Sequence, residues 1–216
     1  MSERLLDPTL YLVTDPDLGG GRPLPAIVAA AVRGGATLVQ LRDKQAEGRA
    51  LLEQACALRD LLAPLGVPLL VNDRADVAHA AGVGVHLGQS DLPPAAARAL
   101  LGPEAIVGIS LDQVEQTRAA DPEIVDYVAF GPFAATATKG DAGPAVGAEL
   151  LAQVRALTAL PLVAIGGIGP ANAAAAIAAG ADGVAVVSAL MAGPDPEAAA
   201  RELRGIIGAA RRGEQP

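Results

Sequence analysis

Short apolar runs alternate along the chain with longer, alanine-rich stretches. The runs are typical of buried strands, and the stretches space their apolar residues as helices do. The pattern predicts strands at 9–15, 37–42, 68–73, 83–88, 105–110, 127–132, 161–167 and 183–189. It predicts helices at about 24–33, 46–63, 75–81, 93–101, 112–119, 147–158, 170–179 and 195–211. Proline near several helix starts and glycine between the units support these boundaries.

Eight strand–helix units within 216 residues predict an α/β protein, a (β/α)8 TIM barrel. A doubly wound open sheet is the alternative, because both folds bury their strands on two faces. No low-complexity linker divides the chain, so we expect a single domain over residues 1–216, with a frayed tail at about 212–216.

Composition and charge narrow the possible partners. A net charge of −8 argues against nonspecific binding of nucleic acid. The N-terminal residues lack the long apolar run of a signal peptide or membrane span, so no membrane partner is expected. The single Cys56 cannot form an internal disulfide, which favours a reducing compartment and a cytoplasmic location. A homo-oligomer remains possible.

Polar residues follow the predicted strands at their carboxyl ends, where TIM barrels carry their active sites. In QLRDK (40–44), Gln40 and Arg42 are two positions apart and face the same side of a strand, and Lys44 continues the row. Arginine binds oxyanions through paired N–H groups, and lysine adds a mobile positive charge. The motif predicts a phosphate or diphosphate site, with ordinary solvated charge as the alternative.

Two carboxylates lie at or just after the ends of neighbouring predicted strands. Asp73 ends the third predicted strand, and Asp91 comes after the fourth. Carboxylates beside a bound diphosphate suit Mg²⁺, which takes one or two of them together with water and phosphate oxygens. The alternative for each is an N-cap of the helix that follows. Asp43 and Asp76 are nearby carboxylates that could take the metal-binding role instead.

The segment GPFAATATKG (131–140) predicts a functional loop after the sixth strand. It contains Thr136, Thr138 and Lys139, which offer two hydroxyls and a third cation. A loop of this kind can close over a ligand and exclude water. A flexible surface loop is the alternative.

A second anion site is predicted after the last two strands. Gly167 lies in IGGIGPAN (165–172), where a helix predicted to begin at Pro170 would offer free amide groups, and Ser188 lies near the end of the eighth predicted strand. TIM barrels often bind a phosphate at these two loops. No Ser-His-Asp or Cys-His arrangement is evident, so covalent catalysis is not expected.

The order and spacing of QLRDK, VNDRAD, GVHLGQSDLP, TATK and AIGGI resemble those of thiamine phosphate synthases. The resemblance runs from YLVTD at 11–15 to VVSAL at 186–190. It implies a (β/α)8 barrel that acts as a transferase in thiamine biosynthesis. Such an enzyme joins hydroxymethylpyrimidine diphosphate to thiazole phosphate with Mg²⁺, giving thiamine phosphate and diphosphate by dissociative substitution.

The motif match also implies a role for each candidate residue. The residues expected to hold the pyrimidine diphosphate are Gln40, Arg42, Lys44, Asn72, Ser110 and Lys139. The residues expected to hold the thiazole phosphate are Thr136, Thr138, Gly167, Val187 and Ser188. The residues expected to bind Mg²⁺ are Asp73 and Asp91. The residues expected to act in catalysis are Arg42, Lys44, Ser110 and Lys139.

The sequence departs from the family pattern at two places. The loop reads GPFAAT, with Phe133 one position early and no proline before Thr136, which bears on its rigidity. Asp112 stands two residues after Ser110, where the family often has histidine. The related thiazole tautomerase relies on a histidine in that region, so its absence favours the synthase. For His86, a hydrogen-bonded polar residue at a strand end is the preferred interpretation over an acid or base.

Three other functions compete with the synthase. The thiazole tautomerase would not need both carboxylates and all three cations. A phosphate-binding isomerase or lyase of amino-acid biosynthesis would explain the seventh and eighth strands but not QLRDK together with TATK. A protein that binds thiamine precursors without turnover would use the same residues.

Overall fold

The protein forms a closed β-barrel surrounded by helices. The computed structural model describes residues 6–136 and 143–214. Within these ranges, eight parallel strands pair in chain order and close into one barrel. The strands are β1 Leu10–Val13, β2 Leu38–Leu41, β3 Leu69–Asn72, β4 Gly84–Leu87, β5 Val107–Leu111, β6 Tyr127–Phe130, β7 Leu162–Ile165 and β8 Gly183–Val186. Closure confirms the predicted TIM barrel and contradicts the doubly wound alternative.

Helices cover the outside of the barrel. They are α1 Leu24–Arg33, α2 Gly48–Leu62, α3 Ala75–Ala81, α4 Pro94–Leu101, α5 Gly147–Leu157, α6 Ala173–Ala178, α7 Ser188–Met191 and α8 Pro196–Arg211. Short 3₁₀ segments span Pro16–Leu18, Ala63–Leu65 and Val114–Ala119. No helix among the described residues combines the length and the apolar character that crossing a membrane requires.

The structure corrects three predicted elements. The fifth predicted helix is the 3₁₀ segment Val114–Ala119, which opens with a capping box between Gln113 and Gln116. The seventh predicted helix, α6 in the structure, begins at Ala173 rather than at Pro170, because the Asn172 side chain accepts a hydrogen bond from the Gly169 amide and closes a turn before it. The eighth strand ends at Val186 rather than at 189, and α7 follows it.

The barrel interior forms a packing layer of its own, separate from the apolar layer between the strands and the helices. Its buried members are Tyr11, Val13, Leu38, Leu70, Tyr127, Ala129, Val163 and Ala185. A Cβ atom on Gly108 would lie 2.1 Å from the Cζ atom of Tyr127. The glycine on β5 therefore makes room for the Tyr127 ring on β6, inside the barrel.

Candidate active site

A cavity of about 530 Å³ opens at the carboxyl ends of the strands. It brings together predicted residues that are distant in sequence. Those that line it are Gln40, Arg42, Lys44, Asn72, Asp73, Asp91, Ser110, Thr136, Gly167, Val187 and Ser188. Thr138 and Lys139 lie outside the described residues. Gln89 and Asp112 also line the cavity, although the sequence patterns assigned them no role.

Arg42 is fixed in place at the end of β2. Its guanidinium Nη1 lies 3.3 Å from Asp15 Oδ2, and its side chain is only 18% exposed. Its backbone N–H donates to the Thr14 hydroxyl at 2.9 Å, and that hydroxyl lies 3.1 Å from the Arg42 carbonyl oxygen. A solvated surface charge would not be held in this way, so the alternative interpretation fails for Arg42. Lys44 is exposed and stands at the rim of the same cavity.

Asp73 and Asp91 interact directly through their side chains. Asp73 adopts a φ of 63°, a conformation that few residues other than glycine take and that is often found at functional sites. Asp91 Oδ2 accepts a hydrogen bond from the Gly88 amide at 2.6 Å. Burial first, and then the neighbouring Asp91, raise the pKa of Asp73 to about 6, and Lys44 opposes this effect. The pair therefore concentrates negative charge near Lys44, in the cavity that Arg42 also lines.

Neither carboxylate caps a helix. The N-cap of α3 is Arg74 and that of α4 is Pro93, and neither helix has a side-chain cap. The two alternative carboxylates are engaged elsewhere. Asp76 pairs with Arg74 at 2.6 Å, and Asp43 accepts hydrogen bonds from its own loop, and neither lines the cavity.

The donor set fits a hard divalent cation. Two facing carboxylates provide oxygen ligands whose mutual repulsion a cation would relieve. No cluster of three or more His, Cys, Asp or Glu side chains suited to a metal occurs among the described residues. A site built on Asp73 and Asp91 would therefore need water and substrate oxygens to complete its coordination, as Mg²⁺ prefers.

The loops after β6 and β7 pack against each other. The Phe133 amide donates to the Ile165 carbonyl at 2.8 Å, and the Ala134 amide donates to the Gly166 carbonyl at 3.0 Å. Gly167 has a φ of 65°, and a Cβ there would lie 2.6 Å from the Ala135 carbonyl oxygen. Gly166 and Gly167 therefore allow the two loops to pack closely, and both also line the cavity. The described part of the GPFAAT loop is thus tied to β7 without the family's proline.

The predicted helix start near the second anion site is wrong. Because α6 begins at Ala173 and spans six residues, Pro170 does not open a helix that could offer amides to an anion. Asn172 spans the turn instead, accepting from the Gly169 amide and donating to the Gly167 carbonyl, both at 2.9 Å. The loop itself still lines the cavity through Gly167 and Ile168.

A chain of hydrogen bonds runs from the barrel interior to the cavity, and the sequence patterns contain little sign of it. Both ring nitrogens of His86 are bonded, Nδ1 to the Tyr127 hydroxyl at 2.7 Å and Nε2 to the Ser110 hydroxyl at 2.8 Å. Burial lowers the pKa of His86 to about 4, so the imidazole is neutral at neutral pH. The structure therefore agrees with a hydrogen-bonded His86 rather than an acid or base. One signal was available, because Tyr11 and Tyr127 are the only tyrosines of the chain and both belong to the chain of bonds.

Comparisons with known proteins agree on one family. The model of the family described as thiamine monophosphate synthase matches residues 10–190. A thiamine-phosphate synthase of Xanthobacter autotrophicus is 59% identical over 206 residues, covering 95% of this chain and 98% of that protein. One from Azorhizobium caulinodans is 56% identical over 207 residues, covering 95% and 98%.

A solved structure is similar to the whole fold as well. Thiamine phosphate pyrophosphorylase from Pyrococcus furiosus superimposes with a TM-score of 0.85 at 35% sequence identity. The match covers 94% of this chain and 97% of that one. The similarity thus includes the barrel and the strand ends that form the cavity.

Proposed function

The chain belongs to the thiamine monophosphate synthase family and is a transferase of thiamine biosynthesis, and from this premise we propose its substrates and chemistry. The membership confirms the resemblance found in the motifs. We propose that the enzyme joins hydroxymethylpyrimidine diphosphate to thiazole phosphate, with Mg²⁺ bound by Asp73 and Asp91. The products are thiamine phosphate and diphosphate.

The observation that carries this proposal is the grouping of the Asp73–Asp91 pair with two cations in one cavity. Arg42 and Lys44 come from the end of β2, and the carboxylates follow β3 and β4, so all four belong to neighbouring strands. Cations alone would suit many anions. Cations beside an acidic pair suit an anion that arrives with a divalent metal, as a diphosphate does.

The opposite wall supports the second substrate. Gly166 and Gly167 follow β7, and Val187 and Ser188 follow β8. These loops are a common phosphate site of TIM barrels, and they offer backbone amides and a hydroxyl rather than carboxylates. A monophosphate on this wall would face the diphosphate across the cavity.

The proposed reaction breaks one bond before it forms the next. The bond between the methylene carbon and the diphosphate oxygen breaks, and both of its electrons leave with diphosphate. The thiazole nitrogen then gives its lone pair to the methylene carbon and forms the new C–N bond. Mg²⁺ at Asp73 and Asp91 would supply positive charge toward the diphosphate oxygens.

The protein's own groups have three tasks in this scheme. Arg42 and Lys44 stabilise the negative charge that develops on the leaving diphosphate, and Lys139 is proposed to add to them. The cavity walls hold the thiazole nitrogen in line with the methylene carbon. Closure of the loop that contains Thr136 and Thr138 would keep water from capturing the carbon cation.

A product assay tests the proposal. The protein is mixed with hydroxymethylpyrimidine diphosphate, thiazole phosphate and Mg²⁺, diphosphate release is followed, and thiamine phosphate is identified by mass. Product should require both substrates and should fall sharply in Asp91→Ala. Asp76→Ala is the matched control, because Asp76 is exposed, pairs with Arg74 and does not line the cavity.

Two results of this assay would contradict parts of the proposal. Retained thiazole phosphate binding without product would contradict the synthase and leave a tautomerase or a precursor-binding protein. Equal losses in Asp91→Ala and Asp76→Ala would remove the specific metal-binding role from Asp91.

A further inference from the structure

Five side chains form one continuous hydrogen-bond chain across the barrel interior. Gln40 Nε2 donates to the Tyr11 hydroxyl at 2.5 Å, and the Tyr11 and Tyr127 hydroxyls are 2.9 Å apart. Tyr127 then bonds to His86 Nδ1 at 2.7 Å, and His86 Nε2 bonds to the Ser110 hydroxyl at 2.8 Å. Three of the five members, Gln40, His86 and Ser110, line the cavity.

The chain has a direction that follows from its first member. The Gln40 amide nitrogen can only donate, so the Tyr11 oxygen accepts. The Tyr11 hydroxyl is completely buried, and its only other partner among the described residues is Tyr127. A buried hydroxyl hydrogen without an acceptor is costly, so Tyr11 donates to Tyr127.

The direction then passes through the histidine. Tyr127 has accepted from Tyr11, so its own hydrogen goes to His86 Nδ1. A neutral imidazole with Nδ1 as acceptor carries its hydrogen on Nε2, and Nε2 must donate to the Ser110 oxygen. Ser110 has no other side-chain partner in the described part of the chain, and its carbonyl is held by the Gln89 amide at 2.7 Å.

We propose that Tyr11, Tyr127 and His86 are positioning residues whose one-directional chain leaves the Ser110 hydroxyl hydrogen free to be donated into the cavity. If the hydrogen bonds ran in the opposite direction, the Ser110 hydroxyl would donate to His86 Nε2 and could only accept a hydrogen bond from a ligand in the cavity. The substrate atom that faces Ser110 is therefore an acceptor, such as a diphosphate oxygen or a pyrimidine ring nitrogen. This inference rests on the proposed role of Ser110 in holding the substrate.

The side chains around His86 support a positioning role. The Tyr127 ring stacks on the imidazole with centroids 5.5 Å apart and an interplanar angle of 24°. His86 is 4% exposed, which keeps water from competing for its nitrogens. The room for this arrangement comes from Gly108, where any side chain would overlap the Tyr127 ring.

The first test reads the tautomer directly and needs neither activity nor a variant. Protein labelled with ¹⁵N-histidine is placed in a magnetic resonance experiment that correlates each ring nitrogen with the ring protons. The chain has two histidines, and His79 is exposed on α3, so it serves as an internal reference. We expect His86 to carry its hydrogen on Nε2. A hydrogen on Nδ1 would overturn the proposal.

The second test asks whether Tyr127 acts through Ser110. Tyr127→Phe keeps the stacked ring but removes the hydroxyl, and we expect loss of the single tautomer and about a tenfold fall in kcat/KM. The same change made in Ser110→Ala should cause no further fall, because the oriented hydroxyl is already gone. An equal fall in both backgrounds would overturn the proposal.

A matched control separates positioning from loss of packing. Val163→Ala lies in the same interior layer and removes packing without removing a hydrogen bond. It should lower stability while leaving the His86 tautomer unchanged. A tautomer change in this variant would show that any packing defect suffices, which contradicts the proposal. If the wild-type protein makes no thiamine phosphate, the proposed function fails while the tautomer result still stands.

Discussion

The two facing carboxylates of Asp73 and Asp91 are expected to destabilise the metal-free protein and to allow it to bind Mg²⁺. Replacing Asp91 by Asn removes one of two facing charges but keeps an oxygen that can accept the Gly88 amide hydrogen bond. We therefore expect Asp91→Asn to be more stable than the wild type without metal and to lose its response to Mg²⁺. Relief of repulsion and loss of a ligand are two results of the same substitution.

The size of the gain follows from the pKa of Asp73. Burial and Asp91 raise this pKa from 3.8 to about 6. The folded-state pKa of Asp73 is higher than the unfolded-state pKa, so ionising this carboxyl lowers the stability of the folded protein. The loss of stability is absent below about pH 4, grows as the pH rises toward the folded pKa, and is complete above it. The full difference corresponds to at most about 3 kcal/mol. Solvent screening reduces this value, because the Asp73 carboxyl is partly exposed. Burial also causes more of the pKa shift than Asp91 does. The share of the free energy of unfolding that is due to Asp91 is therefore about 1 kcal/mol.

Thermal unfolding measures the effect. At pH 8 with a chelator present, Asp91→Asn should unfold about 2–4 °C above the wild type, and the gain should vanish near pH 4. Added Mg²⁺ should stabilise the wild type and not the variant. Asp76→Asn is the control, since it breaks an attractive pair with Arg74 and should bring no gain. A less stable Asp91→Asn in chelator, or equal Mg²⁺ shifts in both proteins, would refute the reasoning.

Three further substitutions test separate parts of the site. Arg42→Ala removes charged hydrogen bonds worth about 1.5–3 kcal/mol, so kcat/KM should fall about 10–100-fold, and steady-state kinetics with a change under threefold would contradict this. Lys139→Ala should lower kcat by about 10²–10³, and a near-normal rate would remove Lys139 from the mechanism. Gly131→Ala places a Cβ 2.0 Å from the Ile165 carbonyl oxygen, so denaturant unfolding should show a loss of about 1–3 kcal/mol. Gly169→Ala meets nothing within 4 Å and should leave stability unchanged, and equal losses in the two glycine variants would refute the packing argument.

The barrel could be predicted from the sequence because its signals are local. Each strand is an apolar run, and each crossover to the next parallel strand needs a helix or a similar connection. The errors fall where a side chain, rather than the apolar pattern, sets the element. Gln113 and Gln116 close a 3₁₀ turn, Asp121 and Pro122 follow it, and Asn172 delays the start of α6.

The positions of the candidate residues could also be predicted, because strand ends of one barrel meet at one face. Arg42, Asp73, Asp91 and Ser110 are far apart in sequence and line one cavity. What the sequence could not give was the choice between a metal ligand and a helix cap. That choice depends on what each side chain contacts. In the structure Asp91 accepts from the Gly88 amide and interacts with Asp73, and neither α3 nor α4 has a side-chain cap.

The interior hydrogen-bond chain lay beyond sequence analysis for a physical reason. Tyr11 and Tyr127 are 116 positions apart and sit inside runs that count as apolar, so periodicity treats both as core residues. Their hydroxyls meet only because closing the barrel brings β1 and β6 to opposite sides of one interior. Whether a buried hydroxyl finds a hydrogen-bond partner therefore depends on residues of other strands, and not on the pattern of its own strand. In the proposed chain, the direction of the hydrogen bond at Ser110 therefore depends on Tyr11 and Tyr127, which a pattern of strand ends does not contain.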